Sequence, residues 1–423
     1  MNTKFRLTLM NFLQFAVWGA YLTSMGTYLA GAGFGSIIGW FYAIQGVVSI
    51  FMPGIMGIVA DRWIPAQRLL GICHALAGAL MVSAGIYGLS SDANISVLFS
   101  LYACSVAFYM PTLALSNSVA FNALTKAGLD TVKDFPPIRV FGTIGFICTM
   151  WVVDLCGFQP TSKQFIVSGA ISLVLALYAQ TLPACPIKAK DSGAGQQSLV
   201  QALGLDAFKL FKDYRMAVFF IFSMLLGVSL QITNGYANPY ITSFQGIAEY
   251  ADTFGAQHAN ILISLSQVSE TCCILLIPFC LKRFGIKNVM LIAMTAWVFR
   301  FGLFGTGNPG SGVWMFVLSC IVYGVAFDFF NVSGSLFVDK ETDISIRSSA
   351  QGLFMLMTNG LGASIGTWAA GRVVNALVYT PQEAGLPGDW SKAWYIFAAY
   401  ALVVAILFAI LFENPDKEKK IAE

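Results

Sequence analysis

The sequence predicts an all-α polytopic membrane protein with twelve transmembrane helices in two six-helix halves, and three observations predict it. Hydrophobic residues fill 57% of the 423 positions and charged residues only 11%, with a mean hydropathy of +0.72. A water-soluble chain carries about a quarter charged residues, because its surface faces water. The apolar residues gather into runs of roughly 20, the length of helix that crosses a bilayer. The longest polar interruption lies near the midpoint, at 183–213, where Pro183, Pro186, Lys188, Lys190, Asp191, Gly193 and Gly195 break the hydrophobicity.

In order, the runs place helices near 7–30, 36–60, 67–89, 95–120, 138–157 and 164–182, then 215–244, 258–281, 287–306, 311–337, 348–378 and 391–412. Each is expected to be helical, because a backbone in hydrocarbon must satisfy its hydrogen bonds within the segment. The expected domains are an N-terminal bundle over 1–182, a central loop over 183–213, and a C-terminal bundle with a short tail over 214–423. Lys4 and Arg6 before an apolar stretch resemble the start of a secretory signal. The apolar character continues through Trp18, Tyr21 and Tyr28 without a small-x-small cleavage pattern, so the run reads as an uncleaved first span. Basic residues set the orientation. Lys4, Arg6, Arg62, Arg68, Lys126, Lys133, Lys188, Lys190, Lys282, Arg283, Lys340 and Lys417 fall on one side, and Lys163 and Lys392 on the other. Both termini and the central loop are therefore expected on the cytoplasmic side.

Several function classes are excluded by composition. A net charge of +3 is too small to suggest a nucleic-acid partner. The nine cysteines are scattered, most of them within apolar runs, where cysteine packs as a small hydrophobe. There is no Cys-x-x-Cys or Cys/His cluster and only two histidines, so no metal or other cofactor is expected. An intramembrane enzyme would need a Ser/His dyad, paired aspartates or a metal motif. His74 stands on the third span without an obvious nucleophile, and His258 lies at the outer end of the eighth. A channel would need a ring of charges or a filter sequence, and neither occurs.

Ionisable groups inside spans cost several kcal/mol, so each marks a candidate site. Arg139, Glu270, Arg300, Asp328 and Arg372 are of this kind. Arg139, Thr143 and Phe146 share one face of the fifth helix, which begins after the Pro136-Pro137 pair. Arg139 there either faces a site or snorkels to the interface. Gln231 and Asn234 are i, i+3 neighbours on the seventh helix, followed by Asn238 and a helix-bending Pro239. Such amides either bind a ligand or join helices by hydrogen bonds. Gln267 and Glu270 repeat the i, i+3 spacing on the eighth helix, and Tyr323, Phe327, Asp328 and Asn331 cover one arc of the tenth. A structural ion pair of Arg139 or Arg300 with Asp328 or Glu270 is the alternative. Amides and a carboxylate bond hydroxyls and heterocycle edges, aromatic faces stack on flat rings, and one removable negative charge can couple binding to a proton.

Two loops carry a weaker signal. After the second helix stands GIVADRW, with Gly57, Asp61 and Arg62; after the eighth stands KRFGIK over 282–287. Together they resemble the two halves of a loop motif of major-facilitator transporters, and a charged tight turn of this kind would latch a conformation. The stretches FMPGIMGIVADRW (51–63), DFPPIRVFGTIGF (134–146), LQITN (230–234), ISLSQVSET (263–271) and YGVAFDFFN (323–331) are more specific. On them, over nearly the whole chain, the sequence resembles the bacterial nucleoside:proton symporters of the major-facilitator superfamily, nearest to nucleoside and xanthosine permeases.

The resemblance implies uptake of nucleosides with protons across the bacterial inner membrane by alternating access, as a monomer. It also implies a substrate site of Arg139, Thr143, Phe146, Gln231, Asn234, Gln267, Glu270, Tyr323, Phe327 and Asp328. Asp328, or else Glu270, would carry the coupled proton. The pattern departs at Ser229, where a member of the family has an acidic residue, so a role resting on that acid is absent here. A proton-coupled sugar or polyol symporter of the same fold is the alternative, and a drug efflux pump would have a less amide-rich cavity.

Overall fold

The structure, a computed structural model, describes residues 2–90, 92–185, 205–342 and 347–413, and every regular element among them is helical. Most of the expected central loop, with Lys188 and Lys190, and the tail with Lys417 lie outside the described residues. The chain forms two compact units, Met1–Phe34 with Ile44–Leu203, and Gly35–Ala43 with Gly204–Glu423.

The first span is two helices rather than one, α1 (Thr3–Gly19) and α2 (Met25–Gly31). It is followed by α3 (Ile38–Arg62), α4 (Ala66–Tyr87), α5 (Ile95–Lys126), α6 (Thr131–Leu155) and α7 (Lys163–Ala179). The second unit holds α8 (Tyr214–Ser243) and the rod Ala259–Thr306. Only Gly285 departs from helical geometry in that rod, with φ 76° and ψ 167°, a conformation that glycine adopts without a side-chain clash. The residue divides it into α9 (259–284) and α10 (286–306). After α11 (Val313–Glu341), α12 runs from Arg347 to Glu383 through two π-helical stretches, Leu356–Gly362 and Asn375–Tyr379, and α13 (Trp390–Leu411) ends the unit.

Among the described residues, eight helices are long and apolar enough to cross a membrane by length and composition. That number counts α9 and α10 as one and omits the split first span, the 17-residue α7 and the π-interrupted α12. With these separated and included, the helices provide the twelve crossings expected.

Two boundaries differ instructively. α6 starts at Thr131, so Pro136 and Pro137 sit inside it rather than in its first turn. A proline in a membrane helix is tolerated where neighbouring groups take over the freed backbone carbonyls. α3 continues through Arg62, so Gly57 is within a helix and not in a loop, and a Cβ there would meet nothing within 4 Å.

Close packing of the first unit relies on small residues, as expected where lipid removes the hydrophobic drive between helices. A Cβ on Gly78 of α4 would lie 2.9 Å from Gly169 O of α7, and one on Gly169 2.7 Å from Gly78 O. Lys4 Nζ donates to Asp134 Oδ1 at 2.7 Å and ties the start of α1 to the first turn of α6. Asn94, Asp213 and Asp389 cap α5, α8 and α13, each accepting from a backbone N–H at 2.8–2.9 Å.

Candidate functional site

In the first unit, α6 carries Arg139, Thr143 and Phe146 on one face. Arg139 is half-buried, with its guanidinium carbon 3.8 Å from the centre of the Phe15 ring on α1. A cation over an aromatic face is held by the ring quadrupole, more strongly where water is excluded. Thr143 is half-buried and Phe146 buried. The crossing of α1 and α6 that places Arg139 depends on Gly142, where a Cβ would meet the Phe15 ring at 2.6 Å.

Behind this face lies a buried polar network that the sequence reading did not assemble. His74 Nδ1 is 2.9 Å from Ser172 Oγ, and His74 Nε2 is 2.8 Å from Gln14 Oε1. Ser172 Oγ also lies 2.9 Å from His74 O, and the amide oxygen of Gln14 accepts from Nε2–H. Gln14 Nε2 donates to Thr112 Oγ1 at 2.8 Å, and Tyr109 OH donates to Gln14 O at 2.9 Å. The group joins α1, α4, α5 and α7. His74 thus does have a serine beside it, on a helix 98 residues away in sequence. Both side chains are buried and each is tied to neighbouring helices by hydrogen bonds, which makes the pair a packing joint. Polar residues inside the apolar runs, such as Gln14 and His74, were the available signal.

In the second unit the candidates lie on α8, α9 and α11. On α8, Asn234 Nδ2 donates to Gln231 Oε1 at 3.5 Å, and both side chains are half-buried. One turn later Asn238 Nδ2 donates to Asn260 Oδ1 at 2.7 Å, so Asn238 joins α8 to the start of α9. α8 runs on through Pro239 to Ser243.

Gln267 and Glu270, both half-buried, flank Ser269 on α9. Ser269 donates to Ile321 O of α11, and a Cβ on Gly324 would lie only 2.6 Å from the carbonyl carbon, oxygen and Oγ of Ser269. The two backbones therefore touch where Gln267 and Glu270 leave one helix and Tyr323, Phe327 and Asp328 leave the other. The Phe327 ring stacks on Tyr323 at 5.8 Å with 12° between planes. Asp328 is 3% exposed; its Oδ2 and Gln267 Oε1 are buried without a hydrogen-bond partner among the described residues. Glu270 is within electrostatic reach of Asp328 and Tyr323.

Arg300 of α10 is fully buried and makes no ion pair among the described residues, so its pairing with Asp328 or Glu270, one of the alternatives, is not formed. Arg372 is exposed on α12. Of the loop motif, the side chains of Asp61 and Arg62 lie outside the described residues. In the second loop, Lys287 Nζ donates to Ala409 O at 2.9 Å and to Phe412 O, at the end of α13.

The unit thus presents two amides on α8, an amide and a carboxyl on α9, and a ring pair beside a second carboxyl on α11. A model of the family described as nucleoside H+ symporters matches residues 1–417. The nucleoside permease NupG of Escherichia coli K12 is 46% identical over 420 residues, 98% of this chain and 96% of that protein. The chain belongs to the nucleoside H+ symporter family. The xanthosine permease of the same organism is 46% identical over 424 residues, 99% of this chain and 98% of that protein. A crystal structure of the nucleoside transporter NupG superposes with a TM-score of 0.87 at 45% identity, covering 98% of this chain and all of that one. The architecture is that of the major-facilitator transporters. Within this nucleoside H+ symporter, Ser229 is buried on α8, two positions before Gln231, with no acid in its place.

Proposed function

We propose that this protein takes up nucleosides with protons across the bacterial cytoplasmic membrane, by alternating access of the bundles 1–182 and 214–423. It acts as a monomeric, multi-pass carrier and not as an enzyme, with both termini and the 183–213 loop in the cytoplasm. Family membership sets the class of function. The observation that carries the coupling is the pair of carboxyls, Glu270 and Asp328, on helices in backbone contact at Gly324.

The roles follow from chemistry. Gln231, Asn234 and Gln267 read hydroxyls and base edges, since an amide both donates and accepts. Phe327 on Tyr323 offers a flat apolar face to a base, as does Phe146, with Arg139 and Thr143 beside it on α6. Two negative charges close together in a medium of low dielectric repel strongly, and one proton relieves them. Asp328, the more buried, is assigned the proton and Glu270 the ribose. A proton moving down a membrane potential supplies about 2.3 kcal/mol per 100 mV, roughly a fiftyfold concentration ratio. Gly57, Asp61 and Arg62 are assigned to a cytoplasmic latch.

A ligand-stabilisation panel on detergent-solubilised protein, followed by counterflow in proteoliposomes, tests the substrate class. Uridine, adenosine or xanthosine is expected to raise the melting temperature and to exchange, whereas lactose and melibiose do neither. Exchange of the sugars alone would replace this reading by that of a sugar symporter.

A further inference from the structure

Arg300 is a fully buried charged side chain that the proposed mechanism does not use. Among the described residues it has no carboxylate partner, and its Nη2 makes no hydrogen bond. A buried charge costs several kcal/mol, and apolar replacements of buried ion pairs are often as stable or more so. Joining helices does not require a guanidinium at such a place. What surrounds Arg300 indicates what its charge does.

Its polar contacts come from three helices: Nε donates to Thr233 Oγ1 of α8 at 3.3 Å, Nη1 to Ser319 O of α11 at 2.7 Å, and Nη1 to Ser266 Oγ of α9 at 3.5 Å. These contacts fix the guanidinium with its central carbon 4.6 Å from the centre of the Tyr323 ring. One turn earlier on α10, Trp297 meets Tyr323 edge to face, at 5.9 Å and 89°. Phe327 stacks on the same ring, nearly parallel. Tyr323 is therefore bounded by a hydrogen-bonded cation, a buried indole and the ring assigned to the base.

We infer that Arg300 is a positioning residue for nucleoside recognition: it holds the Tyr323 ring by a desolvated cation–π contact, and through it the Phe327 face on which the base stacks. A desolvated cation–π contact is among the stronger interactions of this type. The inference rests on the nucleoside reading only for its ligand; the ordering of the ring does not depend on it.

The test compares wild type, Arg300→Gln, Arg300→Lys, Tyr323→Leu and the double variant Arg300→Gln/Tyr323→Leu in detergent. Two readouts are uridine affinity and the 19F spectrum of a fluorotyrosine placed at position 323 in ligand-free protein. Arg300→Gln is expected to weaken uridine binding roughly tenfold and to broaden or split the 19F resonance, with both partly restored by lysine. In the Tyr323→Leu background, Arg300→Gln is expected to change affinity less than about twofold, because the ring that transmits the effect is gone. A wild-type affinity and spectrum in Arg300→Gln would overturn the inference, as would an equal affinity loss in both backgrounds. If the glutamine variant does not fold, Arg300→Lys decides: an intermediate, Tyr323-dependent loss supports the inference and its absence overturns it. If wild type itself binds no nucleoside, the functional reading fails, and the ligand-free spectra still decide the role of Arg300.

Discussion

Replacing Gly324 by alanine would place a methyl group 2.6 Å from the carbonyl carbon, oxygen and Oγ of Ser269. Apolar contacts settle at roughly 3.5–4.0 Å, so α9 and α11 must part by about 1 Å. Overpacking of this kind costs about 1–3 kcal/mol, against a gain of about 0.4–1 kcal/mol from alanine's stiffer unfolded chain, so the net effect is destabilising. The methyl group also separates Gln267 and Glu270 from Tyr323, Phe327 and Asp328. A misplacement of 1 Å can cost up to about a hundredfold in function, and a tenfold weaker uridine affinity is expected, roughly 1.4 kcal/mol. Thermal unfolding and uridine titration in detergent measure both effects. Gly302→Ala is the control, since nothing lies within 4 Å of a Cβ there, and it is expected to leave both unchanged or raise the melting temperature slightly. Wild-type melting temperature and affinity in Gly324→Ala would refute the claim that close backbone contact builds the site.

The remaining expectations concern the site and its support. Asp328→Asn mimics the protonated carboxyl, so it should keep uridine counterflow but lose uphill accumulation; retained accumulation would move the coupling role to Glu270. Gln231→Ala and Asn234→Ala should each weaken uridine binding by about 1–3 kcal/mol, because a buried polar partner is left unpaired; unchanged stabilisation by uridine in both would make these amides helix joints. His74→Ala should lower the melting temperature by stranding Gln14 and Ser172, at about 1–3 kcal/mol, while uridine affinity changes less than about twofold. An affinity loss as large as that of Gln231→Ala would place His74 in the binding site.

The crossings were legible because each run of apolar residues reports directly on its solvent. The break between α9 and α10 was legible for a local reason, since Gly285 stands among basic residues between two apolar runs. The interruption of the first span after Gly19 was not, because it lies inside an apolar run and coincides with a close approach to Phe146 on a distant helix. The π-helical stretches of α12 were hidden for a similar reason. Apolar content does not distinguish an i→i+5 from an i→i+4 turn, and such turns are set by packing such as the contact of Gly227 with Thr358.

Among the polar residues, helical spacing grouped Gln231 with Asn234 and Tyr323 with Phe327, since partners three or four apart share a face. Contacts between helices left no periodic trace. Ser172 beside His74, Ser269 against Gly324, and Arg300 over Tyr323 without a carboxylate all depend on which helix lies opposite. Chain hydrophobicity does not encode that choice.

Uphill uridine transport in proteoliposomes tests the central claim most directly. With an imposed pH gradient, acid outside, the protein should accumulate uridine above the external concentration, take up protons with it, and lose the accumulation when a protonophore is added. Uridine that only equilibrates, or accumulation that survives the protonophore, would contradict proton-coupled nucleoside uptake.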